Sequence, residues 1–255
     1  MNILTRYGII PASTVRFEPI LLKHDAGLMD FSVTGATNLY WVFPDGTTST
    51  AIRPAKTVDA GITKVYCDNW DSPSLVLSDN DTNSIFTGSL ADLQGKLIGT
   101  LYLSHCTNVT GSLADLQGKL TGSLSLDACV KVTGSLADLQ GKLIGTLNLY
   151  RCANITGSLA DLQGKITNTL CLSNLVNVHG VYTPIGAGTP AYTYLSNTGL
   201  SASDMDATLI NYANAEIPKS NGTFTADGMT RTSASDTAIA TLVGRGWTVS
   251  GLTKI

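Results

Sequence analysis

The residues with chemistry to offer are five cysteines, three histidines and a row of aspartates, and their spacing decides what they can do. Cys106, Cys129 and Cys152 recur every 23 residues, with Cys67 before them and Cys171 after. Metal sites commonly use close cysteine pairs with convergent His partners. One cysteine per repeat instead describes a stack of buried thiols, each acting as a small hydrophobe. Equivalent atoms of neighbouring repeats would lie about 4.8 Å apart, which leaves an incidental disulfide within reach. His24, His105 and His179 are scattered, and no Gly-x-Ser-x-Gly elbow, phosphate loop or His-Glu-x-x-His occurs. No catalytic residue, metal or cofactor is therefore expected, and the chain is expected not to be an enzyme. Asp92, Asp115, Asp138 and Asp161 form a ladder that suggests calcium. Each has Lys four residues on (Lys96, Lys119, Lys142, Lys165), so a solvated, charge-compensated edge is the preferred reading.

The elements that would position these side chains come from the repeat itself. The nonapeptide Gly-Ser-Leu-Ala-Asp-Leu-Gln-Gly-Lys begins at Gly88, Gly111, Gly134 and Gly157. A fixed period of this size means stacked units, each too small to bury its own apolar face. Between the copies runs Leu-x-x-x-Leu-x-Leu-x-x-Cys-x-x-Val/Ile-Thr, whose Leu-x-Leu core (Leu101/Leu103, Leu124/Leu126, Leu147/Leu149, Leu170/Leu172) has the two-residue period of a strand. Each repeat is expected to supply one short parallel strand. Leu90, Leu93 and Leu97 with their equivalents join the inward rows, and Leu-Ala-Asp-Leu forms a single helical or 3₁₀ turn closed by Gly95.

Period, leucine spacing and cysteine position together resemble the leucine-rich-repeat family in its cysteine-bearing form, over roughly residues 75 to 200. Cys106, Cys129 and Cys152 stand where that family more often has Asn; Leu175 departs from the pattern, and Asn80 marks an opening repeat. Upstream, Tyr40 to Thr50 and Thr57 to Cys67 alternate apolar and polar residues around a Pro-Asp-Gly turn. This run resembles half of a polycystic-kidney-disease-type β-sandwich module, with Pro44 in place of the first turn glycine. Downstream, Ser201-Ala-Ser-Asp204 and Ser233-Ala-Ser-Asp236 each precede a helical pattern and read as capping boxes, with strand-like runs at Tyr192–Leu195, Thr223–Thr225 and Trp247–Val249. The fold implied is mainly β with short helices, an α/β right-handed solenoid carrying a parallel sheet. Residues 1–67 form an N-terminal β-sandwich-like cap (the module likeness covering 31–67), 68–200 the solenoid, and 201–255 a strand-helix cap.

Composition narrows the partners. With 16 Lys and Arg against 19 Asp and Glu and no run of like charge, a nucleic-acid footprint is not expected. No stretch approaches ~18 apolar residues, so membrane insertion is not expected, and Met1–Ala12 reads as a poor secretory signal. Outward strand positions vary between repeats whereas Asp92, Gln94 and Lys96 are copied unchanged. That contrast marks Tyr102, Ser104, His105, Ser125, Asp127, Asn148, Tyr150, Arg151, Ser173 and Asn174 as a binding face, with Tyr, His and Arg as anchors. A β-module joined to such repeats looks like a bacterial or phage surface protein. The resemblance implies a non-enzymatic virion- or cell-surface binding protein, in the first place a phage structural or attachment protein, whose partner is a protein or glycan receptor, or other virion or surface proteins, with a homo-oligomer compatible. The alternatives are a purely structural decoration or fibre subunit and a cytoplasmic protein-interaction module.

Overall fold

The computed structural model describes residues 18–68, 73–77, 84–93, 99–116, 120, 122–139, 145–163, 166–186, 188–216 and 219–255. The expectations placed on Met1–Ala12, Asn80, Gln94, Gly95, Leu97 and the lysines 96, 119, 142 and 165 lie outside these residues. The described chain is mainly strands with a few short helices, and its largest element is a mostly parallel sheet.

Alternation sets the first part of the chain. Strands β1 (Ile20–His24), β2 (Gly27–Met29), β3 (Ser32–Thr34), β4 (Tyr40–Val42), β5 (Thr48–Ser49), β6 (Lys56–Val58) and β7 (Gly61–Tyr66) pair antiparallel, β1-β7-β4-β5 as one sheet and β2 with β6 as another. In β1 the pattern is strictly two-residue: Ile20, Leu22 and His24 are buried, Leu21 and Lys23 exposed. The Pro-Asp-Gly segment turns β4 into β5. The Phe43 amide donates to the Thr47 carbonyl at 2.9 Å, and Gly46 takes the left-handed φ of 79° that such a turn needs.

The second part is laid down by the repeat. Strands β8 (Ser74–Val76), β9 (Leu101–Tyr102), β10 (Leu124–Ser125), β12 (Leu147–Asn148), β14 (Thr169–Cys171), β16 (Tyr192–Tyr194), β17 (Thr223–Arg231) and β18 (Thr248–Lys254) run parallel in that order. Antiparallel β3 closes the sheet beside β8, with Val33 opposite Leu75. Leu101, Leu124, Leu147 and Leu170 are in direct register, and so are the inward rows behind them. Leu103, Leu126, Leu149 and Leu172 are fully buried, as are Leu90, Leu113, Leu136 and Leu159 from the 3₁₀ turns. Burying one such side chain stabilises the fold by roughly 1.5–3 kcal/mol, so these rows dominate local propensity. One continuous core runs from Ile20 to Trp247.

Between strand and turn, a second parallel ladder of β11 (Gly134–Ser135), β13 (Ile155–Ser158) and β15 (Val178–His179) lies on the flank. It explains why Gly recurs there. Gly157 has φ 115°, and a Cβ on it would stand 2.7 Å from Ser135 Oγ and 2.9 Å from the Leu136 amide nitrogen of the preceding repeat. Only glycine admits both the conformation and the approach.

The aspartate ladder is not simply a solvated edge. Asp92, Asp115 and Asp138 accept the backbone N–H of Ser89, Ser112 and Ser135 at 2.8, 2.8 and 2.9 Å, while each serine Oγ accepts the amide two residues on at 3.2 Å. Ser158 and Asp161 do the same as a full capping box. The carboxylates thus satisfy donors that a four-residue 3₁₀ turn would leave unpaired.

At the far end the repeats lengthen. Thr193 follows Leu170 in register, then Phe224 and Val249. The buried Thr193 hydroxyl pairs with Tyr212 Oη at 2.8 Å, inside an aromatic cluster of Tyr182, Tyr212, Phe224 and Trp247. Helix α1 (Ala202–Ala213) is capped by Ser201 and Asp204 reciprocally. The second Ser-Ala-Ser-Asp differs. Ser233–Ser235 form a 3₁₀ turn capped by Thr232, and helix α2 starts at Asp236 without a side-chain cap. The reason is Asp206 on α1, whose buried carboxylate draws in the Ser235 hydroxyl at 2.5 Å and the Thr232 amide and hydroxyl.

Candidate functional site

Alternation places every second strand residue on the side away from the leucine rows. The first outward column is Thr100, Ser123, Thr146 and Thr169, continued by Tyr192, Thr223 and Thr248; the second is Tyr102, Ser125, Asn148 and Cys171, continued by Tyr194, Thr225 and Ser250. Where the strands end, a third column holds Ser104, Asp127, Tyr150 and Ser173, and a fourth His105, Ala128, Arg151 and Asn174. Parallel pairing thus brings together the ten residues singled out by their variability.

Their exposure is uneven. His105 and Arg151 are exposed, and Tyr102, Ser104, Asp127, Asn148, Tyr150 and Asn174 are half-buried. Ser125 and Ser173, expected as surface contacts, are only 4% and 5% exposed. Ser125 sits between the larger Tyr102 and Asn148 on adjacent strands, its Oγ 3.1 Å from Ser104 Oγ, and Ser173 Oγ accepts the Ser196 amide at 3.2 Å.

The fourth column has a conformational role that local reading missed. His105, Ala128, Arg151, Asn174 and Asn197 all have φ between 53° and 68°. The amide of each donates to a carbonyl of the following repeat, from His105 to Asp127 at 2.7 Å through Arg151 to Ser173 at 3.1 Å. These are left-handed turn residues, a conformation that Asn tolerates and β-branched residues avoid. Asn174 and Asn197, 23 residues apart, were the available signal. Tyr192 and Tyr194 were also missed as part of the face, because the 23-residue spacing holds while leucine gives way to Thr193.

Across the columns from Thr100 to Ser250 charge is confined to the turns, while Arg231 and Lys254 end β17 and β18. Asp127 lies between His105 and Arg151, and the Arg151 guanidinium sits over the Tyr150 ring, 4.8 Å from its centroid. Burial pushes the Asp127 carboxyl up from its ordinary value, and the charges of His105 and Arg151 oppose that only in part. Its Oδ1 is buried and has no hydrogen-bond partner among the described residues. An acid whose folded-state pKa is raised supports the fold below its unfolded pKa, and that support is lost as pH rises through the folded value. Asp127→Ser, which installs the residue that the preceding repeat holds at that place (Ser104), is therefore expected to raise Tm at pH 7 by roughly 2–4 °C, on the order of 1 kcal/mol for an unsatisfied acceptor. The gain should shrink below pH 4. Thermal melts at pH 3.5 and 7 check this, and an equal or larger gain in acid would contradict it.

Behind the face, the thiols of Cys106, Cys129 and Cys152 point inward. Cys129 Sγ donates to the Leu103 carbonyl and Cys152 Sγ to the Leu126 carbonyl, both at 2.9 Å, tying each repeat to the one before. Leu175 lacks this donor and packs as a hydrophobe. The five cysteines form no disulfide. The neighbouring Cys106 and burial hold the Cys129 thiol well above its ordinary pKa, and burial pushes Cys152 up to about 12. Thiolate is the reactive form, so these sulfurs are inert at neutral pH. Among the described residues no three His, Cys, Asp or Glu converge as metal ligands, and no helix is long and apolar enough to cross a membrane. Compared with family models, curated proteins and solved structures, the chain finds no match.

Proposed function

We propose that the chain is a right-handed leucine-rich-repeat solenoid of the cysteine-bearing kind, capped by a polycystic-kidney-disease-like β-module and a strand-helix unit. On this reading it works without catalysis, as a virion- or cell-surface binding protein that presents its strand face to a receptor. The observation that carries the reading is the face itself. It is continuous across β9 to β18, built of side chains that the core does not need, and it gathers tyrosines, Arg151 and His105 over a rigid parallel sheet. Capping and close packing now account for the unchanged Ser, Asp and Gly of the nonapeptide. The chemistry of the strand face, rather than the constancy of the opposite side, therefore marks the binding surface.

Mass spectrometry of purified particles, and of peptides released by protease from intact producing cells, tests the location. The chain is expected in one of these two fractions. Recovery from the cytosolic fraction alone would contradict a surface role.

A further inference from the structure

The identity of the ligand can be taken further, on the footing that the strand face is the binding surface. We propose that this face takes an extended, uncharged, β-linked polysaccharide lying across the strands.

Three observations converge on that chemistry. In the two outward strand columns from Thr100 to Ser250 no residue is charged, and all but Asn148 and Cys171 carry a hydroxyl. Such a surface matches a polymer whose own groups are uncharged hydroxyls; an acidic glycan or nucleic acid would call for a basic face, whereas the turn columns hold Arg151 together with Asp127 and Asp227. Next, apolar anchors for a protein partner are missing from the face. Of the exposed large hydrophobic residues in the described chain only Tyr192, 44% exposed, belongs to it; Leu28, Ile52, Val176, Val243 and the rest lie elsewhere.

The third observation is spacing. Tyr102 on β9 and Tyr194 on β16 stand in the second column and Tyr150, two residues beyond Asn148 of β12, in the third; the three belong to the first, third and fifth of five consecutive repeats, with the buried Ser125 and Ser173 in the repeats between. Strands lie about 4.8 Å apart, so measured across the strands the three rings recur every ~10 Å, with Tyr150 set two residues, about 6.6 Å, further along than Tyr102 and Tyr194. One strand spacing is close to the length of a hexose in an extended chain. In a β-linked chain alternate sugars turn opposite faces outward, so every second sugar would present the same face to a tyrosine. A tyrosine ring offers an apolar surface to a sugar's C–H face and a hydroxyl to its oxygens. The Arg151 guanidinium lies over the Tyr150 ring, 4.8 Å from its centroid, and holds that ring in place.

The test is affinity electrophoresis of the full chain through gels containing hydroxyethyl cellulose, galactomannan or polygalacturonate. The variant is Tyr102→Ser, Tyr150→Ser and Tyr194→Thr together, each residue being one that neighbouring repeats already hold at that place, so the fold is expected to persist with unchanged Tm. Retardation by at least one of the two neutral β-linked polymers, none by polygalacturonate, and tenfold or greater weakening in the variant are the expected results. Absence of retardation by both neutral polymers, preference for polygalacturonate, or full binding by the variant would overturn the proposal. Adhesion to host cells separates this from the underlying reading. Adhesion lost in the variant, abolished by protease treatment of the cells and untouched by periodate would leave the strand face as the binding surface and refute a glycan ligand. Adhesion unaffected in the variant would remove both.

Discussion

Leu103→Asp, Leu126→Asp and Leu149→Asp are each expected to leave no soluble folded protein. All three side chains are fully buried in one row, each flanked by the equivalent leucine of the next repeat and backed by Leu90, Leu113, Leu136 or Leu159. The change removes roughly 1.5–3 kcal/mol of apolar burial and adds the desolvation of a carboxylate within a row of leucines. Breaking burial this way costs several kcal/mol, against a total stability of about 5–15 kcal/mol for a typical domain. Stacked repeats spread the damage, because each rests only on its neighbours. Soluble yield and the far-UV circular dichroism spectrum check it. Normal values for all three variants would contradict the stacked interior.

The parts of this fold that could be read from sequence are those in which one residue repeats one task. Leucines at a two-residue spacing inside a 23-residue period mark the strands, and Leu-Ala-Asp-Leu is too short for anything beyond a turn. Ser201 and Asp204 announce α1 because both partners of the cap lie within four residues. What stayed hidden depends on neighbours distant in sequence. The Ser235 hydroxyl is claimed by Asp206 from 29 residues away, which displaces the start of α2. Thr57 to Cys67 alternates like a single strand, yet it divides into β6 and β7, which pair with β2 and with β1 and β4. Of the candidate site, the columns follow from alternation alone. The left-handed turn at His105, Ala128 and Arg151 and the burial of Ser125 and Ser173 follow from packing between repeats, which no single repeat reveals.

The central claim, that the strand surface is the recognition surface, is tested most directly by adhesion of one variant against a matched control. Tyr102, His105, Tyr150 and Arg151 changed together to Ala should remove attachment to the host or receptor. Stability should change little: none of these side chains fills the leucine rows, surface changes usually stay within about 0.5 kcal/mol, and Ala128 already occupies the left-handed place of His105 and Arg151 at φ 59°. The control changes the exposed Asn108, Val130, Lys131 and Val176, which lie outside the strand columns. The expected result is attachment lost at least tenfold in the first variant and kept in the control, with both melting near the parent. Attachment kept in the strand-face variant and lost in the control would contradict the account, and would make the face a scaffold.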